Sequence, residues 1–222
     1  LSRSSAIKAH ANMTQPSSAP VAHRSLDFFY DLSCAYSYLA QSRMSALLSR
    51  CPSPVTLRFI PVVLGRLQAA HGAVGPIPMR AARLSYLQAD LLRWSRRLKL
   101  PLHFPSRYPI NTLLALRLCV QVAQQSEATH QQLVQRLLYG YFVEDADLMD
   151  ERVLKKLLQS LDLPADSLIK GCKNPEVAEA LRQNTEAAIA HGVFGTPSFL
   201  YQGELYWGND RLDFLEEALL AP

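Results

Sequence analysis

Strand-like sequence appears once near the start of the chain and again only near its end, with a long helical stretch between. The run Leu26-Asp27-Phe28-Phe29-Tyr30 is short, aromatic and apolar, as a buried strand requires. A helix over 36–50 follows, with Leu39, Met44, Leu47 and Leu48 on one side and Cys51-Pro52-Ser53-Pro54 as its stop. Val55 through Ile60 reads as a second strand. Two strands joined through one helix must run parallel, because only a crossover connection returns the chain to the same end of the sheet. At the far end Ser198-Phe199-Leu200-Tyr201 and Glu204-Leu205-Tyr206-Trp207 flank Gln202-Gly203, the spacing of a two-residue hairpin, and a short amphipathic helix over 211–220 closes the chain. The order β-α-β, helical block, β-β-α predicts an α/β fold with a large inserted all-helical domain.

Helical stripes cover 80–99, 112–125, 130–142, 151–161 and 175–191. The clearest is Val153, Leu154, Leu157, Leu158 and Leu161, with Asp150 as its cap, while Asn174 followed by Pro175 marks another helix start. The organisation expected is a leading segment over 1–25, one domain built from 26–63 and 192–222, and a helical insertion over 64–191. The most apolar segment, Ile110 to Ala123, is interrupted by Asn111, Arg117 and Gln121, which excludes a membrane-spanning helix there. The formal charge of +4 sits mostly in the first 25 residues, which hold Arg3, Lys8 and Arg24 and no acid. The near-neutral remainder argues against a nucleic-acid partner, and Arg93, Arg96, Arg97 and Lys99 read as a solvated helix face. The leading segment suits either a disordered tail or a transit segment, so the compartment expected is cytoplasmic, or mitochondrial if that segment targets.

Four cysteines, Cys34, Cys51, Cys119 and Cys172, form no CxxC pair, and the six histidines stand apart without metal-ligand spacing. Reduced thiols are expected. Cys34 lies between the first strand and the first helix, where unpaired N–H groups and the positive end of the helix dipole favour a thiolate. The same position also suits a small core residue. In Gly192-Val193-Phe194-Gly195-Thr196-Pro197, a proline opens a strand. A cis Thr196–Pro197 bond would offer the N–H and C=O of Thr196 to a ligand, whereas a trans bond would make an ordinary turn.

The segment Phe28-Phe29-Tyr30-Asp31-Leu32-Ser33-Cys34-Ala35-Tyr36-Ser37-Tyr38-Leu39-Ala40 resembles the opening of 2-hydroxychromene-2-carboxylate isomerases and kappa-class glutathione transferases. Gly192 to Phe199 and Gly203 to Leu212 are similar to that family's closing motifs, as are Phe104 to Thr112 and Tyr86, Asp90 and Arg93-Trp94, so the likeness runs over 26–220. It implies a DsbA-like thioredoxin fold, glutathione as cofactor, a small aromatic substrate and a homodimer. Cys34 holds the place of the family's serine, and Ala35 that of its proline. Thr196 with Pro197 would pair with the cysteinyl backbone of glutathione, and Asn209 with Asp210 would hold its γ-glutamyl end. Arg83 would be a basic contact, and Asp90 an acidic one across the dimer. Ala73 stands where relatives often carry an asparagine that touches glutathione. Two mechanisms are open: isomerisation through reversible thiol addition, or monothiol exchange by Cys34-Ala35-Tyr36-Ser37 as a CxxS site. A non-catalytic thiol-binding module is the third reading. The thiol readings expect Cys34 to be exposed, acidified, and the first cysteine alkylated.

Overall fold

The computed structural model describes residues 24–72 and 81–221. The leading segment through residue 23 and the expectation for Ala73 lie outside the described residues. β1 (Ser25–Tyr30) leads into α1 (Ala35–Leu48), β2 (Thr56–Pro61) and α2 (Leu64–Ala70). The helical block holds α3 (Ala81–Leu98), α4 (Leu113–Ala123), α5 (Glu127–Phe142), α6 (Glu151–Gln159) and α7 (Ala165–Gly171). After α8 (Pro175–Ala190) come β3 (Ser198–Tyr201), β4 (Glu204–Trp207), a 3-10 turn (Asn209–Arg211) and α9 (Leu212–Leu220). Sequence periodicity did not separate out α2 and α7, whose seven residues each are too short to draw a stripe.

The sheet runs β2-β1-β3-β4, with β1 parallel to β2 and the other pairs antiparallel. β1 is central because both of its faces are apolar. Phe28 stacks on Phe199 at 4.9 Å between ring centroids and meets Phe59 edge-on at 5.0 Å. Leu26, Phe28 and Tyr30 join a core that continues through α1 into α4, α5, α6 and α7, so the helical block is anchored on the sheet by shared apolar packing. Phe29 points the other way, into a smaller cluster with Val62, Leu67, Ala188 and Val193. The hairpin turns on Gln202 and Gly203, both left-handed at φ 51° and 84°, the geometry that matches the strand twist. Asp150 and Asn174 cap α6 and α8 as expected, accepting the N–H groups of Arg152 and Glu176.

β2 is an edge strand, and α5 closes that edge. Gln131 donates its amide to the Leu57 carbonyl at 3.1 Å, and the Phe59 N–H donates to the Glu127 carboxylate at 3.0 Å. Behind them Tyr30, kept protonated by burial, donates to His130 Nε2 at 3.0 Å, and the other ring nitrogen faces Glu127 at 3.4 Å. Burial pushes the Glu127 carboxyl up, but hydrogen bonds from His130 and Phe59 outweigh it and hold it below its ordinary value of 4.5. A depressed carboxyl stabilises the fold above the ordinary value and loses that contribution as pH falls through the depressed one. Glu127→Gln should therefore be less stable than the parent at pH 7 by about 1 kcal/mol or less, given its partial exposure. Urea melts of the two proteins should draw together as the pH falls below the ordinary value of 4.5 and through the depressed one.

Candidate active site at the start of the first helix

β1 delivers the chain to the edge of the sheet at Tyr30, and a tight turn passes it into α1. Cys34 is the residue that caps α1, with φ −92° and ψ 108°, and its N–H closes the turn onto the Asp31 carbonyl at 3.1 Å. Asp31 is 2 % exposed and fixes this turn. Its Oδ1 accepts from the Ser33 N–H and hydroxyl, both at 2.8 Å, and from the Thr112 hydroxyl at 3.0 Å. Its Oδ2 accepts the Leu64 N–H at 2.9 Å. One carboxylate thus joins the start of α1 to the first turns of α2 and α4.

Opposite Cys34 stands the loop before β3. The Thr196–Pro197 bond is cis, as is Tyr108–Pro109, which sequence did not flag. The Cys34 thiol donates to the Thr196 carbonyl at 3.1 Å. The hydroxyls of Ser37 and Thr196 stand beside the same sulfur, and each is buried without a hydrogen-bond partner of its own. Two hydroxyls, a carbonyl and a thiol therefore converge on one point, and the hydroxyls have unused capacity. That donor set fits a second sulfur, the reacting group of a thiol ligand.

The expectation that Cys34 is exposed and acidified is corrected. The residue is 8 % exposed, and burial pushes its thiol up. The polar groups of Thr196 and Ser37 close to the sulfur pull the other way, while the Asp31 charge adds to the rise. Helix N-terminal stabilisation acts on this sulfur too, but desolvation of the charged form is the larger effect. Cys34 is thus an S–H group at neutral pH. Burial likewise raises Cys119 to about 12 and Cys172 to about 11.

The remaining residues singled out from sequence fall around this point. Asn209, buried, and Asp210, exposed, sit in the 3-10 turn, which joins the cis-proline loop through the Gly208 N–H and Pro197 carbonyl at 2.9 Å. Asp210 pairs with Arg211 at 2.8 Å. Asp90 accepts from the Tyr36 hydroxyl at 2.8 Å and lies 3.6 Å from Arg93, so its carboxylate serves α1 and α3 of its own chain. Arg83 is exposed, and its charge reaches Tyr108. Burial, then the neighbouring Cys34 and Asp31, push that phenol up to about 12, which places Tyr108 as a neutral donor beside the thiol. Sequence reading missed Asp31, Thr112 and Tyr108. The available signal was Asp31 itself, an acid set directly after an aromatic strand and before a helix cap.

The fold and site define a thioredoxin-like thiol protein, and the model of the DSBA-like thioredoxin domain matches residues 25–220. The chain is 30% identical over 196 residues to a 2-hydroxychromene-2-carboxylate isomerase of Pseudomonas putida, covering 87% of this chain and 93% of that one. A solved 2-hydroxychromene-2-carboxylate isomerase superposes with a TM-score of 0.80 at 29% identity, over 88% of this chain and 94% of the other. Human glutathione S-transferase kappa 1 is 22% identical, over 88% of this chain and 91% of its own. The chain belongs to the 2-hydroxychromene-2-carboxylate isomerase family within the DSBA-like thioredoxin domains.

Because Cys34, Cys119 and Cys172 are buried and raised while Cys51 is half-buried, iodoacetamide at pH 7 should label Cys51 first. Peptide mass mapping of a time course checks this. Early labelling of Cys34 would contradict its burial as the deciding effect.

Proposed function

We propose that the protein is a glutathione-dependent isomerase of the 2-hydroxychromene-2-carboxylate type, with Cys34 acting as a neutral S–H donor to the bound thiolate. The observation that carries this is the protonated, buried Cys34 thiol flanked by the partnerless hydroxyls of Ser37 and Thr196. Bound glutathione supplies a thiolate that adds to the enone carbon of a ring-opened arylidene pyruvate and departs after rotation about the bond it has saturated. Cys34 releases the Thr196 carbonyl and donates to the ligand sulfur. The freed carbonyl then accepts from the ligand's peptide backbone, so one hydrogen bond replaces another. Ser37 and Thr196 donate to the same sulfur and lower the cost of its charge. Asn209, Asp210 and Arg83 hold the polar ends of glutathione, with Pro197 shaping the loop. Tyr108, protonated, donates to an anionic oxygen of the aromatic substrate.

A homodimer with Asp90 near the partner's site belongs to the same reading. It is supported by α3, which presents Tyr86 at 64% and Leu92 at 49% exposure. Light scattering at micromolar concentration should give twice the chain mass. The monothiol exchange reading requires Cys34 as a thiolate, which its burial opposes.

The test is Cys34→Ser in an assay of chromene carboxylate isomerisation with glutathione. A serine hydroxyl is the stronger donor, so kcat/KM should hold within about five-fold of the parent or rise. Loss of isomerisation with parallel loss of mixed-disulfide turnover would favour exchange instead. Asp31→Asn removes the charge and also turns one accepting oxygen into a donor, so circular dichroism must first show that the variant is folded. It should lower the apparent pKa of Cys34 alkylation, because the Asp31 charge helps hold the thiol protonated.

A further inference from the structure

Resting on the glutathione reading, we infer that Arg43 is a positioning residue that prepares the 3-10 turn for the γ-glutamyl end of the thiol, acting through Asn209. Arg43 lies on α1, outside the short motifs that carry the family likeness. Its Nη1 donates to the Asn209 backbone carbonyl at 2.7 Å and to Asn209 Oδ1 at 3.3 Å. Its Nη2 donates to Asp213 at 3.0 Å, and its guanidinium lies 5.7 Å from the ring centre of Trp94. The Asp213 side chain is 75% exposed, so that ion pair orients the guanidinium more than it stabilises the fold.

The consequence falls on Asn209, which is 1 % exposed. A guanidinium can only donate, so it selects the oxygen side of the amide and turns Nδ2 away. That Nδ2 is buried with no acceptor of the protein's own. The turn around it is fixed. The Gly208 N–H is tied to the cis-proline loop at 2.9 Å, and at φ +108° a Cβ on Gly208 would stand 2.4 Å from Asp210 Oδ1. A γ-glutamyl group brings a carboxylate that needs donors and an ammonium that needs an acceptor. The oriented Asn209 amide suits the first, and Asp210 suits the second. Through Trp94 on α3, the helical block takes part in holding this turn.

Isothermal titration with S-methylglutathione, which cannot turn over, reads this binding apart from isomerisation. Arg43→Met and Asn209→Ala should each weaken affinity about ten-fold, or about 1.4 kcal/mol. The double variant should also lose about ten-fold rather than about a hundred-fold, because the two residues act as one device. Arg43→Lys should recover part of the loss, since an ammonium still reaches the Asn209 carbonyl. An Arg43→Met affinity within about two-fold of the parent, or multiplicative losses in the double variant, overturns the inference alone. No heat from the parent protein overturns the inference and the glutathione reading together. If circular dichroism shows Arg43→Met to be unfolded, Arg43→Lys and Arg43→Gln carry the same comparison with Asn209→Ala.

Discussion

The Asp31 carboxylate ties together three parts of the chain that apolar packing alone brings near without fixing their orientation. It lies at the end of β1, where burying an ionised group without partners would cost several kcal/mol. Four donors come to it: the Ser33 N–H and hydroxyl, the Thr112 hydroxyl and the Leu64 N–H. They belong to the turn into α1, the cap of α4 and the start of α2. The Leu64 N–H is one that α2 would otherwise leave unpaired at that corner. The insertion could have been tethered to the sheet only by apolar contact, which has no direction. The Thr112 hydrogen bond adds a direction, and it sets where Tyr108, four residues earlier, can stand relative to the thiol.

Position on a helix and burial make opposite demands on a cysteine, and at residue 34 burial prevails. A helix N-terminus stabilises a nearby negative charge by about 0.3–2 kcal/mol, depending on geometry. Removing a thiolate from water costs more than that when nothing cationic stands beside it. The charge that acts on the Cys34 thiol is the carboxylate of Asp31, which opposes ionisation. The departure from the family's serine thereby loses much of its weight. A thiol held protonated by burial is a larger, weaker version of a hydroxyl donor.

The fold was legible where local chemistry and packing agree. Leu26 to Tyr30 is apolar on both faces because β1 is covered on both, and Gln202-Gly203 names its turn because few residues accept two positive φ values in succession. Asp150 and Asn174 announced their helices, since a cap acts on N–H groups two residues away. Thr196 and Cys34 were found, and they meet. What sequence could not give was the sign of the Cys34 shift, because desolvation depends on residues such as Thr196 that lie 162 positions away. Arg43 escaped for the same reason. Its partners Trp94, Asn209 and Asp213 come from two distant stretches of chain, and a lone arginine on a helix reads as a solvated face.

Two sulfurs brought together in this site can carry only one negative charge between them. Like charges in contact in a poorly solvated place repel strongly, so a pair of thiols titrates as a unit and the first proton leaves from whichever sulfur is better solvated. Cys34 is at a disadvantage here, being buried against the cis-proline loop and subject to the Asp31 charge. Under the proposed function, a ligand sulfur gains the Ser37 and Thr196 hydroxyls, so the proton stays on Cys34 and the charge goes to the ligand, the division of labour that thiol addition needs. The same asymmetry disfavours a mixed disulfide formed by Cys34, since that step begins with the charge on the wrong sulfur. In the proposed reaction, the burial that keeps Cys34 protonated, with the Asp31 charge adding to it, leaves the nucleophile's role to the ligand sulfur.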